Sequence, residues 1–143
     1  MTIQVPIVLQ DGCAVPAYQT AGSAGVDLCL SESIELKPME RRLARTGIRV
    51  AIPHGFEGQV RPRSGLALRH GIAMVNSPGT IDSDYRGELK LILINLGESV
   101  VKLASGERVG QLVFCPVATA QFLPVDSLED TDRGEGGFGS TGK

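Results

Sequence analysis

The chain contains no tryptophan and only four Phe and two Tyr among its 143 residues. Its hydrophobic core must therefore be built from Val, Ile, Leu and Ala side chains. No run of Lys or Arg occurs, and the formal net charge is −2. This composition argues against a nucleic-acid partner, which needs a basic surface. No apolar stretch could span a bilayer and the N-terminal residues do not resemble a signal peptide, so we expect no membrane partner.

Cysteine and histidine are also scarce, and their spacing argues against common metal sites. Cys13, Cys29 and Cys115 are far apart and form no CxxC pair. We interpret them as small core residues of a protein in a reducing compartment. His54 and His70 have no partner at ligand spacing, so a zinc site is not expected. These features together predict a cytoplasmic protein.

The length and the hydrophobic pattern predict one domain rich in β-strands. A chain of this length can bury its own core. Alternating apolar residues predict strands at 3–9 and 26–30. Further short strands, separated by Gly and Pro turns, are predicted at 34–36, 42–46, 48–52, 58–61, 72–75, 89–96, 100–103, 109–114 and 117–122. Many short strands at this spacing are typical of an all-β sandwich or barrel.

One short helix is predicted near the middle of the chain. Ser64 can cap its start, and Gly71 follows its end. The preceding Arg63 would add a charged fork to the N–H groups of the first turn, which together favour an anion. The alternative is an ordinary serine cap with solvated arginines. The residues alone favour neither interpretation.

Residues 76–89 (NSPGTIDSDYRGEL) hold the densest group of polar side chains. The Pro-Gly pair predicts a tight turn, after which residues 81–85 would return as the second arm of a hairpin. From the sequence alone, Asp82 and Asp84 are equivalent candidates. Either could be a general base, with the other pairing with Arg86.

Two more side chains have both a functional and an ordinary interpretation. Asp27 lies on the face of a predicted strand opposite to its apolar neighbours, where it could bind magnesium or simply face solvent. Tyr85 could be a core residue or a platform for a flat ligand. Two arginine sites, a helix start and spare carboxylates together suit a nucleoside triphosphate with Mg²⁺.

The composition changes after Pro124. Residues 126–132 are acidic, and residues 133–143 are rich in glycine, so this segment cannot bury enough surface to fold by itself. It is either a dispensable end or an arm that becomes ordered on a ligand, and the single Phe138 with its polar neighbours favours an arm. We therefore divide the chain into a β-domain at 1–124 and an arm at 125–143.

Five segments resemble, in order, the five motifs of the homotrimeric dUTP pyrophosphatases (dUTPases). They are residues 24–28 (AGVDL), 62–67 (PRSGLA), 79–89 (GTIDSDYRGEL), 108–112 (RVGQL) and 133–142 (RGEGGFGSTG). The resemblance implies a distorted jelly-roll β-barrel (a β-clip) with one short helix and a flexible C-terminal arm. It also implies a homotrimer in which the arm closes over an active site shared between subunits.

The resemblance implies the activity of a dUTP diphosphatase. Water would attack the α-phosphorus of dUTP with the assistance of Mg²⁺, giving dUMP and pyrophosphate. The dUMP would supply thymidylate synthesis, and removal of dUTP would keep uracil out of DNA. The alternatives on the same fold are a dCTP deaminase-like enzyme and a non-catalytic nucleotide-binding trimer.

The same resemblance implies a role for each motif residue. Asp82 would orient and deprotonate the water, and Asp27 would bind Mg²⁺ through its water shell. The implied substrate-binding residues read the uracil, the sugar or the phosphate chain. They are Arg63, Ser64, Gly65, Asn76, Thr80, Ile81, Asp82, Tyr85, Lys90, Gln111, Arg133, Phe138, Ser140 and Thr141.

Overall fold

The structure is a computed structural model that describes residues 2–140 and 142. Within that part of the chain it has eleven strands and one helix, α1 (Ser64–His70). The strands are β1 (Ile7–Leu9), β2 (Val26–Cys29), β3 (Ile34–Leu36), β4 (Arg41–Arg45), β5 (Ile48–Val50), β6 (Phe56–Pro62), β7 (Ile72–Met74), β8 (Gly79–Ile81), β9 (Lys90–Asn95), β10 (Val101–Leu103) and β11 (Arg108–Pro116). No helix of the described residues is long and apolar enough to cross a membrane.

The strands pair in antiparallel fashion and form four small sheets around one aliphatic core. The largest sheet has the order β2-β11-β6-β8, the next has the order β4-β9-β7, and β1–β5 and β3–β10 form two pairs. Alternate residues of β9, such as Leu91 and Leu93, are buried. The predicted all-β class is confirmed, and the architecture is a distorted jelly-roll barrel. The largest fully buried apolar side chains are those of Leu28, Leu36, Ile72, Leu89, Leu91, Leu93 and Leu112.

The helix lies where the sequence predicts it, but its start differs by one residue. Arg63, with an extended backbone, occupies the N-cap position and makes no side-chain cap bond. Ser64 is the first helical residue, so its predicted capping role is wrong. Gly71 ends the helix in the left-handed conformation with φ 67°, which glycine adopts without strain. The predicted end of the helix is confirmed.

The turn at residues 75–78 carries the chain from one sheet to another. β7 pairs with β9, whereas β8 pairs with β6 and places Ile81 opposite Gly58. The strand ends at Ile81, so the predicted hairpin arm at 81–85 is wrong. A Pro-Gly turn determines that the chain bends, but the tertiary arrangement determines which strand edge it meets.

Residues 117–122, predicted as a strand, form none. The Val117 N–H still donates to the carbonyl of Gly55 at 2.9 Å, but Phe122 and Leu123 are then largely exposed. The apolar pattern of this segment is that of a strand, yet a strand needs a partner edge. The described chain offers none at this position.

Candidate active site

The predicted site residues fall into three groups in space. The first is an arginine cluster, in which Arg108 joins the predicted residues Asp27, Arg63, Ser64, Gly65 and Gln111. The second is a loop group between residues 76 and 90, consisting of Asn76, Thr80, Ile81, Asp82, Tyr85 and Lys90. The third is the C-terminal arm at residues 125–143.

Two guanidinium groups surround one carboxylate in the arginine cluster. The Nε atom of Arg63 lies 3.5 Å from Oδ1 of Asp27, and Nη1 of Arg108 donates to Oδ2 at 3.2 Å. Arg63 also donates to the carbonyl oxygen of Arg108 at 3.1 Å. The side chain of Asp27 is only 11% exposed. Two guanidinium groups and one carboxylate together carry a net positive charge, so the cluster suits a polyanion.

The register of the four-stranded sheet brings the cluster together. Asp27 and Arg61 both lie opposite Gln111, and paired residues project from the same face of an antiparallel sheet. An irregularity in the ladder between Arg108 and Gly110 shifts the register by one residue. Such bulges redirect side chains, and here Arg108 reaches the carboxylate of Asp27.

The helix start adds a further cation that the sequence analysis missed. A Cβ atom at Gly65 would lie 3.2 Å from a guanidinium nitrogen of Arg69, so this side chain folds back over the first turn. The four-residue spacing of Gly65 and Arg69 was the available signal, because such residues share one helix face. Arg108 was quoted within a motif but was given no role.

The cluster fits a hydrated magnesium ion better than an all-protein metal site. Within residues 2–140 and 142, no three His, Cys, Asp or Glu side chains come together to hold a metal. Mg²⁺ usually keeps several waters and is bound by one or two carboxylates together with substrate phosphates. The hard oxygen atoms of Asp27, beside two phosphate-compatible arginines, match that donor set.

The loop group is held in place at its C-terminal end. The hydroxyl of Tyr85 donates to the carbonyl oxygen of Glu88 at 3.0 Å. The ring of Tyr85 covers Gly87, where a Cβ atom would overlap it. Glu88 accepts hydrogen bonds from the N–H of Gly47 at 2.9 Å and from Nε of Arg45 at 3.1 Å. The position of Tyr85 therefore depends on residues 87 and 88.

The carboxyl group of Glu88 is mostly buried but remains ionised. Burial raises its pKa, but the hydrogen bonds from Gly47 and Arg45 and the charges of Arg45 and Lys90 outweigh burial and lower the pKa below its ordinary value. The Nζ atom of Lys90 lies 4.0 Å from Oε2 of Glu88. The predicted substrate-lining Lys90 thus lies beside a carboxylate that is ionised at neutral pH.

Arg86 does not form the predicted pair with Asp82 or Asp84. Its Nη1 donates to the carbonyl oxygens of Ser83 at 2.7 Å and Tyr85 at 2.9 Å. Residues 82–85 form a turn rather than a strand, so the two carboxylates do not alternate across a strand face. The prediction of an ion pair is wrong because the turn brings backbone carbonyls closer to the guanidinium.

Asp27 and Asp82 lie at opposite edges of the four-stranded sheet. β2, with Asp27, is three strands from β8, which is about 14 Å. Asp27 is level with Arg61 of β6, whereas Ile81 lies opposite Gly58, so Asp82 lies about 13 Å further along. In a flat sheet this spacing would put the backbones of Asp27 and Asp82 about 20 Å apart.

The described part of the arm contacts itself. Nε of Arg133 donates to the carbonyl oxygen of Gly136 at 2.7 Å. Phe138 and Ser140 are exposed, and Thr141 lies outside the described residues. The structure does not bring Arg133, Phe138 or Ser140 to either of the other groups.

The three cysteines are half-buried and free, rather than core residues as predicted. Burial raises the pKa of the Cys29 thiol, and the charge of Asp27 raises it further. Cys29 is therefore a neutral thiol at neutral pH and does not compete with Asp27 as an ionised ligand.

Comparisons with known proteins identify the family of the chain. The dUTPase family model matches residues 11–142. The chain is 52% identical over 143 residues to the deoxyuridine 5'-triphosphate nucleotidohydrolase of Fusobacterium nucleatum, covering 99% of this chain and 98% of that protein. It is 53% identical over 145 residues to the Anaeromyxobacter sp. protein of the same name, covering 100% and 99%.

A solved structure shows the same fold. The Staphylococcus bacteriophage 80alpha dUTPase with dUpNHpp superposes with a TM-score of 0.92 at 26% identity, covering 99% of this chain and 100% of the phage chain. Since the family model and the relatives span nearly the whole sequence, the chain belongs to the dUTPase family and hydrolyses dUTP.

Proposed function

We propose that the chain converts dUTP to dUMP and pyrophosphate, by attack of water on the α-phosphorus, in sites shared between the subunits of a homotrimer. The reaction supplies dUMP for thymidylate synthesis and keeps uracil out of DNA. The observation that carries the shared site is the placement of the two carboxylates: β2, which holds Asp27, and β8, which ends just before Asp82, are the opposite edge strands of one sheet. Carboxylates at opposite edges of a sheet can act on one phosphate group when they come from different subunits.

Asp82 orients the attacking water and takes its proton. It is exposed directly after β8, and the nearby Arg86 donates to main-chain carbonyls instead of to this carboxylate. Its negative charge is therefore available to accept a proton. A positioned general base contributes about 10²–10⁴-fold to the rate.

The turn before Asp82 reads the base, and Tyr85 reads the sugar. Asn76 and the backbone of Thr80 and Ile81 bind the uracil edge. The side chain of Asn76 packs against Gly79, where a Cβ atom would lie 3.3 Å from its Nδ2 atom. A turn this compact supports exclusion of a 5-methyl group. The ring of Tyr85 stacks under deoxyribose and leaves no space for a 2′-hydroxyl.

The arginine cluster of a second subunit binds the phosphate chain. Arg63 with the first-turn residues Ser64 and Gly65 contacts phosphate oxygens, and Gln111 adds a polar contact. Lys90, which belongs to the loop group, lines the substrate from the other subunit. Asp27 holds Mg²⁺ through its water shell. When bound, the ion neutralises phosphate charge. Positioning and charge neutralisation are what phosphoryl chemistry most requires.

Exposed apolar surface supports assembly into a trimer. Residues 117–125 leave the barrel with Phe122, Leu123 and Val125 largely exposed. An apolar cavity of about 700 Å³ opens beside β1 and β5. Soluble monomers rarely leave such surfaces uncovered.

The arm completes the site from another subunit. Arg133 would hold the γ-phosphate, Phe138 would cover the uracil, and Ser140 and Thr141 would bind phosphate oxygens. The exposure of Phe138 and Ser140 in the single chain supports a role outside their own barrel.

The direct test is release of pyrophosphate from dUTP, dTTP, UTP and dCTP, with and without Mg²⁺. We expect rapid release from dUTP alone, reduced by removal of Mg²⁺. Equal rates with dTTP or UTP would contradict the assigned base and sugar selection. Ammonia release from dCTP without pyrophosphate release from dUTP would identify a deaminase instead.

A further inference from the structure

The ring of Tyr85 is positioned by contacts with its own loop. Its hydroxyl donates to the carbonyl oxygen of Glu88 at 3.0 Å, and its ring lies over Gly87, which has no Cβ atom to displace it. The N–H of Tyr85 also donates to the carbonyl oxygen of Asp82 at 3.1 Å. A displacement of residues 87 and 88 would therefore move the ring.

The side chain of Glu88 anchors this end of the loop to the connection between β4 and β5. One carboxylate oxygen accepts from the N–H of Gly47 at 2.9 Å, and the other accepts from Nε of Arg45 at 3.1 Å. Gly47 is buried, so its N–H requires an acceptor. The neighbouring N–H of Leu89 donates to the carbonyl oxygen of Ile48 at 2.8 Å.

The carboxylate of Glu88 also lies beside two positive charges. Arg45 lies directly opposite Lys90 in the ladder between β4 and β9. Like charges at opposite positions destabilise a strand pair. Oε2 of Glu88 lies 3.1 Å from Nε of Arg45 and 4.0 Å from Nζ of Lys90, so its charge offsets their repulsion. Without Glu88, the repulsion between Arg45 and Lys90 would move the first residues of β9, and the loop joined to them, away from β4.

We propose that Glu88 is a positioning residue for sugar selection, which acts by holding residues 87 and 88 at the place where the Tyr85 ring excludes a 2′-hydroxyl. This inference rests on the proposed function of Tyr85. Glu88 acts through residues 87 and 88 and not on substrate directly, because its two carboxylate oxygens already accept hydrogen bonds from Gly47 and Arg45. The polar pattern of the loop alone does not distinguish Glu88 from a surface glutamate.

The test compares kcat/KM for dUTP with kcat/KM for UTP in Glu88→Ala and Glu88→Gln. We call the quotient of the two the sugar ratio. The sugar ratio should fall roughly 10- to 100-fold in Glu88→Ala, because small misplacements of a positioning group have effects of that size. Glu88→Gln should retain part of it, since the amide oxygen can still accept from Gly47 while the charge between Arg45 and Lys90 is lost.

Glu40 provides a matched control. Its carboxylate accepts from the N–H of Lys37 at 2.8 Å and from Nε of Arg42 at 3.0 Å, the same two kinds of contact that Glu88 makes. Glu40 has no contact with residues 82–89. Glu40→Ala and Glu40→Gln should lower thermal stability while leaving the sugar ratio unchanged.

Gly87→Ala moves the same ring without touching the carboxylate of Glu88. Its Cβ atom would overlap the ring of Tyr85, so we expect a fall in the sugar ratio of similar size. Gly22→Ala, at a glycine with nothing within 4 Å of a Cβ atom, is the corresponding neutral control. If Glu88→Ala does not fold, Gly87→Ala and Glu88→Gln still test the proposal.

Tyr85→Ala separates the two levels of the proposal. If folded Glu88→Ala and Glu88→Gln keep the wild-type sugar ratio while Tyr85→Ala loses it, the inference about Glu88 is wrong and the role of Tyr85 stands. If Tyr85→Ala also keeps the ratio, the proposed sugar-reading role is wrong, and the inference that depends on it is overturned too.

Discussion

Asp82 and Asp84 are neighbouring carboxylates whose sequence context is nearly the same. The structure places Asp82 directly after β8, which pairs with β6, as the first residue of the turn at 82–85, whereas Asp84 lies in the middle of that turn. A side chain next to a paired strand is held more rigidly than one in the middle of a turn. Position in the fold therefore favours Asp82 as the general base.

We predict that Asp82→Asn lowers turnover by about 10²–10⁴-fold with little change in binding of dUTP. The amide keeps the shape of the side chain but cannot accept the proton of water. Pyrophosphate release measures turnover, and calorimetry with a non-hydrolysable dUTP analogue measures binding.

Asp84→Asn is the matched control and should retain turnover. A near-normal kcat in Asp82→Asn would contradict the assignment, and loss of turnover in Asp84→Asn alone would move the role of base to that residue.

At the scale of elements, the arm and the barrel are distinct. The barrel consists of paired strands around an aliphatic core. The described residues of the arm form turns, including the bond from Arg133 to Gly136, and expose Phe138. The arm therefore contributes little to the stability of its own barrel.

Deleting residues 133–143 should leave a folded barrel with dUTP turnover reduced on the order of 100-fold, because hydrogen bonds to charged groups contribute about 1.5–3 kcal/mol each. Circular dichroism during heating should show unchanged unfolding, and pyrophosphate release should show the loss.

In the full chain, Arg133→Ala should reproduce much of this effect, while Glu135→Gln, in the same glycine-rich segment, should not. Normal activity of the truncated protein would show that the segment is dispensable.

At the scale of the whole molecule, one chain holds only parts of a site. Asp27 and Asp82 lie at opposite edges of one sheet. In a closed ring of identical subunits, each subunit contributes both halves, but to different sites.

Mixed assemblies of Arg63→Ala and Asp82→Asn chains should therefore regain activity that neither variant has alone. Random mixing in equal amounts should restore roughly a quarter of the wild-type sites, since each half-site is intact in half of the chains. Pyrophosphate release after joint unfolding and refolding measures the recovery.

Mixing Asp82→Asn with Asn76→Ala is the control, because both changes affect the loop group and no intact site can form. Failure of the first mixture to regain activity, with both variants assembled normally, would place the whole site within one chain.

Local chemistry accounts for the features that the sequence predicted correctly. Alternating apolar residues predicted most strands, and Gly71 predicted the helix end because its left-handed backbone is a local requirement. The motif residues led to the family because their types and spacing are specific. These features depend on neighbours within a few residues, and so the linear sequence contains them.

Contacts between distant segments account for what the sequence missed. Glu88 meets Gly47 and Arg45 across about forty residues of chain, and Arg108 reaches Asp27 through a shift in the strand register. The pattern at 117–122 predicted a strand for which the chain offers no partner edge.

The sequence by itself determined the all-β class, the short helix and the identity of the chemical groups. Only the tertiary structure decided which strand edge β8 joins, which side chains flank Asp27 and how far Asp82 lies from it. The physical reason is that turns and alternation depend on local backbone preferences, whereas strand pairing and ion pairs depend on which distant segments the burial of one common core brings together.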